Sequence, residues 1–219
     1  MRCHTTLPTL TTTAAATDTL VYRLAYRPPY DWDGVIDYFR RHAVAGVETV
    51  SDTRYVRHFS FGAGPAQLAV SPLARRDALA LTLTLPETSN LMPLISAVRR
   101  MFDLDANPIV ITESLSPDPI LGQLVAANPG IRSPGCWSAA ESAVRAIVGQ
   151  QVSTAAARSI CSRFASACGE SDGIRVFPKP SQIAALDEGR RGNVRLLPIT
   201  GTTAHAVLQQ VRQVWPTMR

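Results

Sequence analysis

The sequence predicts an α+β protein, in which an N-terminal antiparallel sheet with helices is followed by an all-α half. Three segments between residues 53 and 85 alternate apolar and polar side chains, as half-buried strands do. After Asp103 the 3.6-residue periodicity of helices takes over. The chain has 219 residues, 46% of them hydrophobic, which is enough for two small domains. We predict a flexible tail or linker at residues 1–19, an α+β domain at 20–112 and a helical domain at 113–219.

The α+β domain is predicted to begin with a strand and a helix. Residues 21–25 alternate like a strand, and Asp31 is placed to cap a helix that starts near Trp32. The three alternating segments that follow favour an antiparallel meander with one face in water. They span residues 53–61, 67–70 and 78–85. A helix over residues 89–102 is expected to cover the other face.

The helical domain is predicted to contain two strong helices, at residues 137–148 and 153–168, with no further strand. Ser138 followed by Glu141 has the form of a capping box, and Ser153 is placed to cap the second helix. The connection between the two helices is Gly149-Gln150-Gln151. A short helix after residues 177–181 and a last helix at 203–215 complete the prediction.

Charge and cysteine content give weaker indications of partner and compartment. The net charge is +5, and residues 113–219 hold 11 basic against seven acidic side chains. This gives modest support for a polyanionic partner, although on charge alone an ordinary solvated surface is favoured. Cys161 and Cys168 share a helix face, which permits a redox pair but more often fills a core. We expect reduced cysteines and a cytoplasmic location.

Several other classes of protein are disfavoured by the sequence. No run of about 18 apolar residues occurs, so we expect no membrane span. The first twenty residues lack the apolar stretch of a secretory signal. The four cysteines contain no Cys-x-x-Cys pair, and the last three have no histidine nearby, so we expect no metal site. We also expect no cofactor.

Six short motifs in order give the chain a resemblance to a known family. They are YRPPYDW at 26–32 with AGVETV at 45–50, MFDL at 101–104, NPGIRSPG at 128–135, VRAIVGQQVS at 144–153, and FP at 177–178 before LPIT at 197–200. Together they resemble the bacterial DNA-3-methyladenine glycosylase II family (AlkA type). The resemblance covers the chain from about Leu20 onwards. It implies a TBP-like α+β domain in front of a helix-hairpin-helix glycosylase domain.

What the resemblance implies about function is base-excision repair. Enzymes of this family hydrolyse the N-glycosylic bond of alkylated bases in double-stranded DNA, after the damaged nucleotide has been flipped out of the helix. An alkylated purine is cationic, so aromatic faces can attract it. A carboxylate then stabilises the sugar cation or orients the attacking water. No cofactor is needed for this chemistry.

The resemblance also suggests individual site residues. Gln151 falls at the position of the side chain that fills the gap in the base stack, and Gly149, Gln150 and Ser153 shape the turn around it. A plain polar connection between helices is the alternative. Tyr38 falls at an aromatic position of the base pocket, although core packing explains it equally well. Arg145, with Arg158 and Arg163, is a candidate for phosphate contacts, and surface ion pairing is the alternative.

One departure from the family concerns catalysis. The family's Leu-Pro-Gly-x-Gly hairpin and its catalytic aspartate are expected beyond the last helix of this sequence, and residues 202–219 contain no Asp or Glu. Asp172, Asp187 and Glu188 are interpreted as surface carboxylates, and Glu141 as part of a cap. We therefore name no catalytic residue and expect the 219 residues alone to be inactive. The alternatives are a non-catalytic DNA-binding module, or one part of a split glycosylase that needs a separate C-terminal fragment.

Overall fold

The fold contains a sheet of five antiparallel strands. The computed structural model describes residues 18–62, 64–150, 152–168, 170–171, 174–179 and 182. The strands are β1 (Asp18–Ala25), β2 (Glu48–Val50), β3 (Tyr55–Phe61), β4 (Gly64–Pro72) and β5 (Ala78–Leu85). Their order in the sheet is β1-β5-β4-β3-β2. Strands β3 to β5 therefore form the predicted meander, β2 extends it beside β3, and β1 pairs with β5 at the other edge.

Six helices accompany the sheet in the described part of the chain. They are α1 (Trp32–His42), α2 (Met92–Met101), α3 (Pro108–Leu115), α4 (Leu121–Ala127), α5 (Ala139–Gly149) and α6 (Thr154–Cys168). Helices α1 and α2 contribute to one apolar core with the sheet, and Phe102 lies at its centre. The ring of Phe102 contacts Phe39 and Tyr55 at centroid distances of 4.9 and 5.6 Å. A second apolar cluster joins α5 and α6 to the segment after α1.

The mixed α+β fold confirms the fold class predicted from the sequence. Asp31 caps α1 as expected, accepting a hydrogen bond from the Gly34 N–H at 2.9 Å. Strand β2 was not predicted, because three residues are too few to show an alternating pattern. The predicted boundary after residue 112 falls inside α3.

The prediction of no strand after Asp103 is wrong. Two-residue strands β6 (Glu170–Ser171) and β7 (Ile174–Arg175) pair antiparallel after α6. A strand of two residues is too short to show an alternating pattern in the sequence. The tail predicted at residues 1–19 lies outside the described residues up to residue 17. The helices predicted after residues 177–181 and at 203–215 lie outside them almost entirely.

The loop before α5 lies close to the segment before α1, and a glycine permits this approach. Gly130 has a φ of +81°, a conformation that side chains other than glycine rarely adopt. Its carbonyl accepts a hydrogen bond from the Asp31 N–H at 2.9 Å. A Cβ atom placed on Gly130 would lie 2.7 Å from backbone atoms of Pro29 and Tyr30.

We expect Gly130→Ala to lower the free energy of unfolding by about 2 kcal/mol or more, because strained backbone and a clash with rigid backbone add together. Gly149→Ala is the matched control, since a Cβ there meets nothing within 4 Å. We expect it to change stability by less than about 1 kcal/mol. Urea unfolding of both variants measures the difference, and equal midpoints would contradict the role given to Gly130.

Candidate functional site

A crevice separates the sheet and α1 from α5, and it contains a cavity of about 280 Å³. The residues around the cavity are of two kinds, aromatic rings and charged groups. The aromatic residues are Tyr38, Phe39, His42 and Trp137, and the charged residues are Glu48, Arg57, Glu141 and Arg145. Cavities of this kind, apolar with a few convergent polar groups, are the usual form of ligand sites.

Tyr38 borders this cavity and also packs against the main core. Its ring stacks on the ring of His42, one helical turn further along α1, at a centroid distance of 4.3 Å. It meets the ring of Phe39 edge-on at 5.7 Å. Burial raises the pKa of the Tyr38 hydroxyl above its ordinary value. Both alternatives for Tyr38 are thus compatible with its position, and its role in a base pocket stays a prediction.

A second cavity, of about 200 Å³, lies beside the first. Gly149, Val152, Thr154 and Arg158 border it on the side of α5 and α6. His42 and Arg145 border both cavities. Tyr38 and the turn between α5 and α6 therefore face neighbouring parts of one crevice.

The turn between α5 and α6 begins at Gly149, the last residue of α5. Gln150 follows as the cap and is exposed, and its N–H lies 3.4 Å from the Ile147 carbonyl oxygen. Ser153 caps α6 as predicted, because its Oγ accepts a hydrogen bond from the Ala156 N–H at 3.3 Å. Gln151, the predicted wedge, lies outside the described residues. The DNA-binding roles of these four residues stay predictions.

Four buried or half-buried charges form a closed ring of ion pairs between the sheet and α5, here called the charge ring (Glu48, Arg57, Glu141, Arg145). Arg57 pairs with Glu48 at 3.1 Å and closely with Glu141. Arg145 pairs with Glu48 at 2.8 Å and with Glu141 at 2.6 Å. Each carboxylate thus lies between two guanidinium groups.

Further hydrogen bonds complete the charge ring. The Tyr55 hydroxyl donates to Glu48 at 2.7 Å, and the Val44 N–H donates to the other oxygen of that carboxylate at 2.8 Å. Arg145 donates to the His42 carbonyl oxygen at 2.7 Å. The Arg57 guanidinium lies 5.4 Å from the centre of the Trp137 ring, with its Nε unpaired.

The charge ring favours the ionised forms of Glu48 and Arg57. Burial alone would raise the pKa of Glu48, but Arg57, Arg145 and the Val44 N–H outweigh it and hold that pKa below its usual range. Burial alone would lower the pKa of Arg57, but Glu141, Tyr55 and Glu48 raise it. Both effects have the same cause, because each charge is stabilised by an opposite charge in a dry surrounding.

The structure corrects the interpretation of Glu141. Ser138 does cap α5, accepting a hydrogen bond from the Glu141 N–H at 3.2 Å. The Glu141 carboxylate, however, does not return to the cap as in a capping box. It is 2% exposed and pairs with Arg57 and Arg145, because it lies on the same buried face of α5 as Val144 and Val148.

Arg145 was predicted to contact DNA, and the structure gives it other partners. Its Nε, Nη1 and Nη2 all donate to protein oxygens, namely those of Glu141, His42 and Glu48. Arg158 remains an exposed residue on α6. Arg163 donates to the Ser159 Oγ at 3.3 Å on the same helix.

Two members of the charge ring, Glu48 and Arg57, were not singled out in the sequence. The sequence did contain a signal for Arg57. It lies two residues from both Tyr55 and Phe59 along β3, so the three side chains point to the same, core-facing side of the sheet. A second signal was the four-residue spacing of Glu141 and Arg145, which brings the two side chains together on a helix. Nothing in the sequence around Glu48 indicates its partners, since they come from distant segments.

Other features of the described residues concern metals, membranes and thiols. In residues 18–182, where described, His, Cys, Asp and Glu form no group of three able to hold a metal ion. Among the described helices, none is long and apolar enough to cross a membrane.

Cys161 carries a free buried thiol, and burial raises its pKa to about 11. The side chain of Cys168 lies outside the described residues.

Comparison with known proteins gives consistent matches. Residues 21–138 match the family described as the AlkA N-terminal domain. The chain is 35% identical over 171 residues to DNA-3-methyladenine glycosylase 2 of Escherichia coli, covering 76% of this chain and 58% of that protein. It is 35% identical over 181 residues to a probable bifunctional transcriptional activator/DNA repair enzyme AlkA of Mycobacterium tuberculosis, covering 80% of this chain and 36% of that protein.

Solved structures with the same fold are also DNA glycosylases. A 3-methyladenine DNA-glycosylase from Archaeoglobus fulgidus superposes with a TM-score of 0.70 at 16% identity, over 87% of this chain and 66% of that one. An 8-oxoguanine glycosylase/lyase from Clostridium acetobutylicum gives 0.60 at 14% identity, over 91% of this chain and 65% of that one. The chain thus spans little more than half of its Escherichia coli relative.

Proposed function

The chain belongs to the family of AlkA-type DNA-3-methyladenine glycosylases, and from this membership we propose that its crevice binds an alkylated base flipped out of double-stranded DNA. The observation that carries the proposal is the position of Tyr38 and the α5–α6 turn along one crevice. A flipped base needs a pocket, and the duplex that loses it needs a side chain in the gap. We propose that the cavity beside Tyr38 meets the first need and that the α5–α6 turn meets the second.

Aromatic rings supply the attraction for the base. Tyr38, His42 and Trp137 border the larger cavity, and an alkylated purine carries a positive charge that the face of an aromatic ring attracts. The two carboxylates of the cavity are each paired with two arginines. They therefore contribute little net negative charge, and selectivity for the cationic base rests on the rings.

The proposal for these residues is binding and base extrusion, and hydrolysis needs a further group. Within the described crevice, Glu48 and Glu141 are the carboxylates, and both are held in the charge ring. The family's chemistry uses an aspartate that follows its hairpin. We propose that a segment carrying that aspartate completes the site, either as a continuation of this polypeptide or as a separate C-terminal fragment. The proposed compartment is the cytoplasm, where the DNA substrate and reduced thiols coexist.

We expect Gln151→Ala to weaken binding to a short duplex by about tenfold, because the side chain that fills the gap would lose its packing and hydrogen bonds there, on the order of 1–2 kcal/mol. The measurement is fluorescence anisotropy of a labelled duplex that contains an abasic-site analogue, at low salt. Gln123→Ala is the matched control, since Gln123 is an exposed glutamine on α4. Absence of duplex binding by the unaltered chain at low salt would overturn the proposal.

A further inference from the structure

The charge ring supplies hydrogen-bonded ion pairs between α5 and the sheet, and such contacts depend on direction. Helix α5 also makes apolar contacts, which join Val144 and Val148 to Val44, Val47 and Phe164. Apolar contacts are non-directional, so they hold a helix against its neighbours without fixing its rotation closely. A guanidinium fork between two carboxylates does fix rotation, because its donors are planar and rigidly spaced.

A closed ring of buried charges is not explained by stability alone. The side chains of Arg57, Glu141 and Glu48 are 1%, 2% and 5% exposed. Replacing such a group by well-packed apolar side chains is often neutral or stabilising, because burying ions is costly. We infer that its distinct contribution is to select one arrangement of the elements that it joins.

Arg145 connects the two ends of the crevice. Toward α1 it donates to the His42 carbonyl, one helical turn after Tyr38. Toward the turn it precedes Gly149 by four residues, which is about 6 Å along the helix axis. A rotation or shift of α5 at Arg145 would therefore move the α5–α6 turn relative to Tyr38.

We propose that Arg145 is a positioning residue, which with Glu48, Arg57 and Glu141 sets the α5–α6 turn and Tyr38 at the spacing that one flipped nucleotide requires. This rests on the proposed function of the crevice. All three guanidinium nitrogens of Arg145 are used within the protein, and its side chain is 20% exposed. A direct contact to a DNA phosphate is the competing role.

Arg145→Lys separates the two roles, because lysine keeps the charge that a phosphate needs but lacks the fork. We expect Arg145→Lys to reduce the ratio of affinities for abasic-analogue and intact duplexes by about fivefold or more. The slope of log affinity against log salt should stay as in the unaltered chain. Arg76→Lys is the matched control and should leave the ratio unchanged, since Arg76 is an exposed arginine between β4 and β5 that borders neither cavity.

Arg145→Met completes the test. Loss of a phosphate contact would make the salt slope shallower by about 0.9, with the affinity ratio unchanged. That result, together with full affinity in Arg145→Lys, would overturn the positioning role. A lowered ratio with an unchanged slope in both variants supports it.

Hydrogen exchange tests the inference without DNA. If the unaltered chain binds no duplex, the proposed function fails, and exchange alone decides whether Arg145 positions the turn. We expect amides 147–150 to exchange about tenfold faster in Arg145→Lys, with protection of β3 to β5 unchanged. Equal exchange at residues 147–150 would overturn the inference, and so would a general loss of protection across the sheet.

Discussion

Arg57→Met is expected to lower the free energy of unfolding by about 3–5 kcal/mol at pH 7, as removal of one partner from a buried ion pair does. The Arg57 side chain is 1% exposed and joins both carboxylates of the charge ring. Without it, Glu48 and Glu141 share the single guanidinium of Arg145. Methionine fills similar space, so the loss measures charge rather than volume. Urea unfolding followed by circular dichroism gives the value.

The loss should depend on pH in a direction set by Glu48. Its pKa is lowered in the folded protein, because the arginines outweigh burial. A lowered folded pKa stabilises the protein fully above the unfolded pKa of about 4.3, and this contribution is lost as the pH falls through the folded pKa. Arg57→Met raises the pKa of Glu48. The gap between variant and unaltered chain should thus be largest at pH 7 and should narrow below about pH 4.

Two further variants test whether the charge ring accounts for the loss of stability in Arg57→Met. Arg40→Met removes an arginine whose side chain is 41% exposed and which pairs with Asp37 and Asp52 at the surface. Its effect should stay below about 1 kcal/mol. Arg57→Met combined with Glu141→Met removes one charge of each sign and should recover about half of the loss. A loss in Arg57→Met no greater than in Arg40→Met would show that the ring does not hold the elements together.

The elements that the sequence predicted well are those with a local signal. Alternation placed β3, β4 and β5, and a capping residue with an apolar stripe placed α1 to its first residue. Elements of two or three residues, such as β2, β6 and β7, were missed because they are too short for any period. Their formation depends on pairing with strands that are already in place.

The candidate site was predictable only in part, because its geometry is non-local. The α5–α6 turn could be recognised from adjacent residues. The charge ring joins Glu48 to Glu141 through arginines from two different elements, and no local pattern encodes such a contact. The alternation along β3 indicated that the charged side chain of Arg57 points inward. Its partner Glu141 on α5, however, lies 84 residues further along the chain. Arg145 shows the same limit, since its partners Glu48 and His42 come from distant segments and could not be predicted from the sequence around it.

Arg132→Met is expected to cost about 3 kcal/mol, because one guanidinium binds four backbone carbonyls. Its Nη1 donates to Asp103 and Ala106 at 3.2 Å each, and its Nη2 donates to Arg27 at 2.5 Å and Pro29 at 2.7 Å. The guanidinium carbon also lies 4.8 Å from the centre of the Tyr30 ring. Methionine would leave these carbonyls without a partner in a site where Arg132 is 8% exposed.

The hydrogen bonds of Arg132 join the segment before α1 to the segment after α2. Residues 27–29 lead into Asp31 and α1, while residues 103–106 follow α2. Arg132→Lys should recover less than half of the stability, because a single ammonium group cannot span four acceptors that a planar fork reaches. Arg27→Met is the matched control, since Arg27 is an exposed arginine that donates to one carbonyl, that of Asp105. It should cost less than about 1 kcal/mol. Full rescue by lysine would show that Arg132 acts through its charge alone, and the loop would then be held mainly by Gly130 and its bond to Asp31.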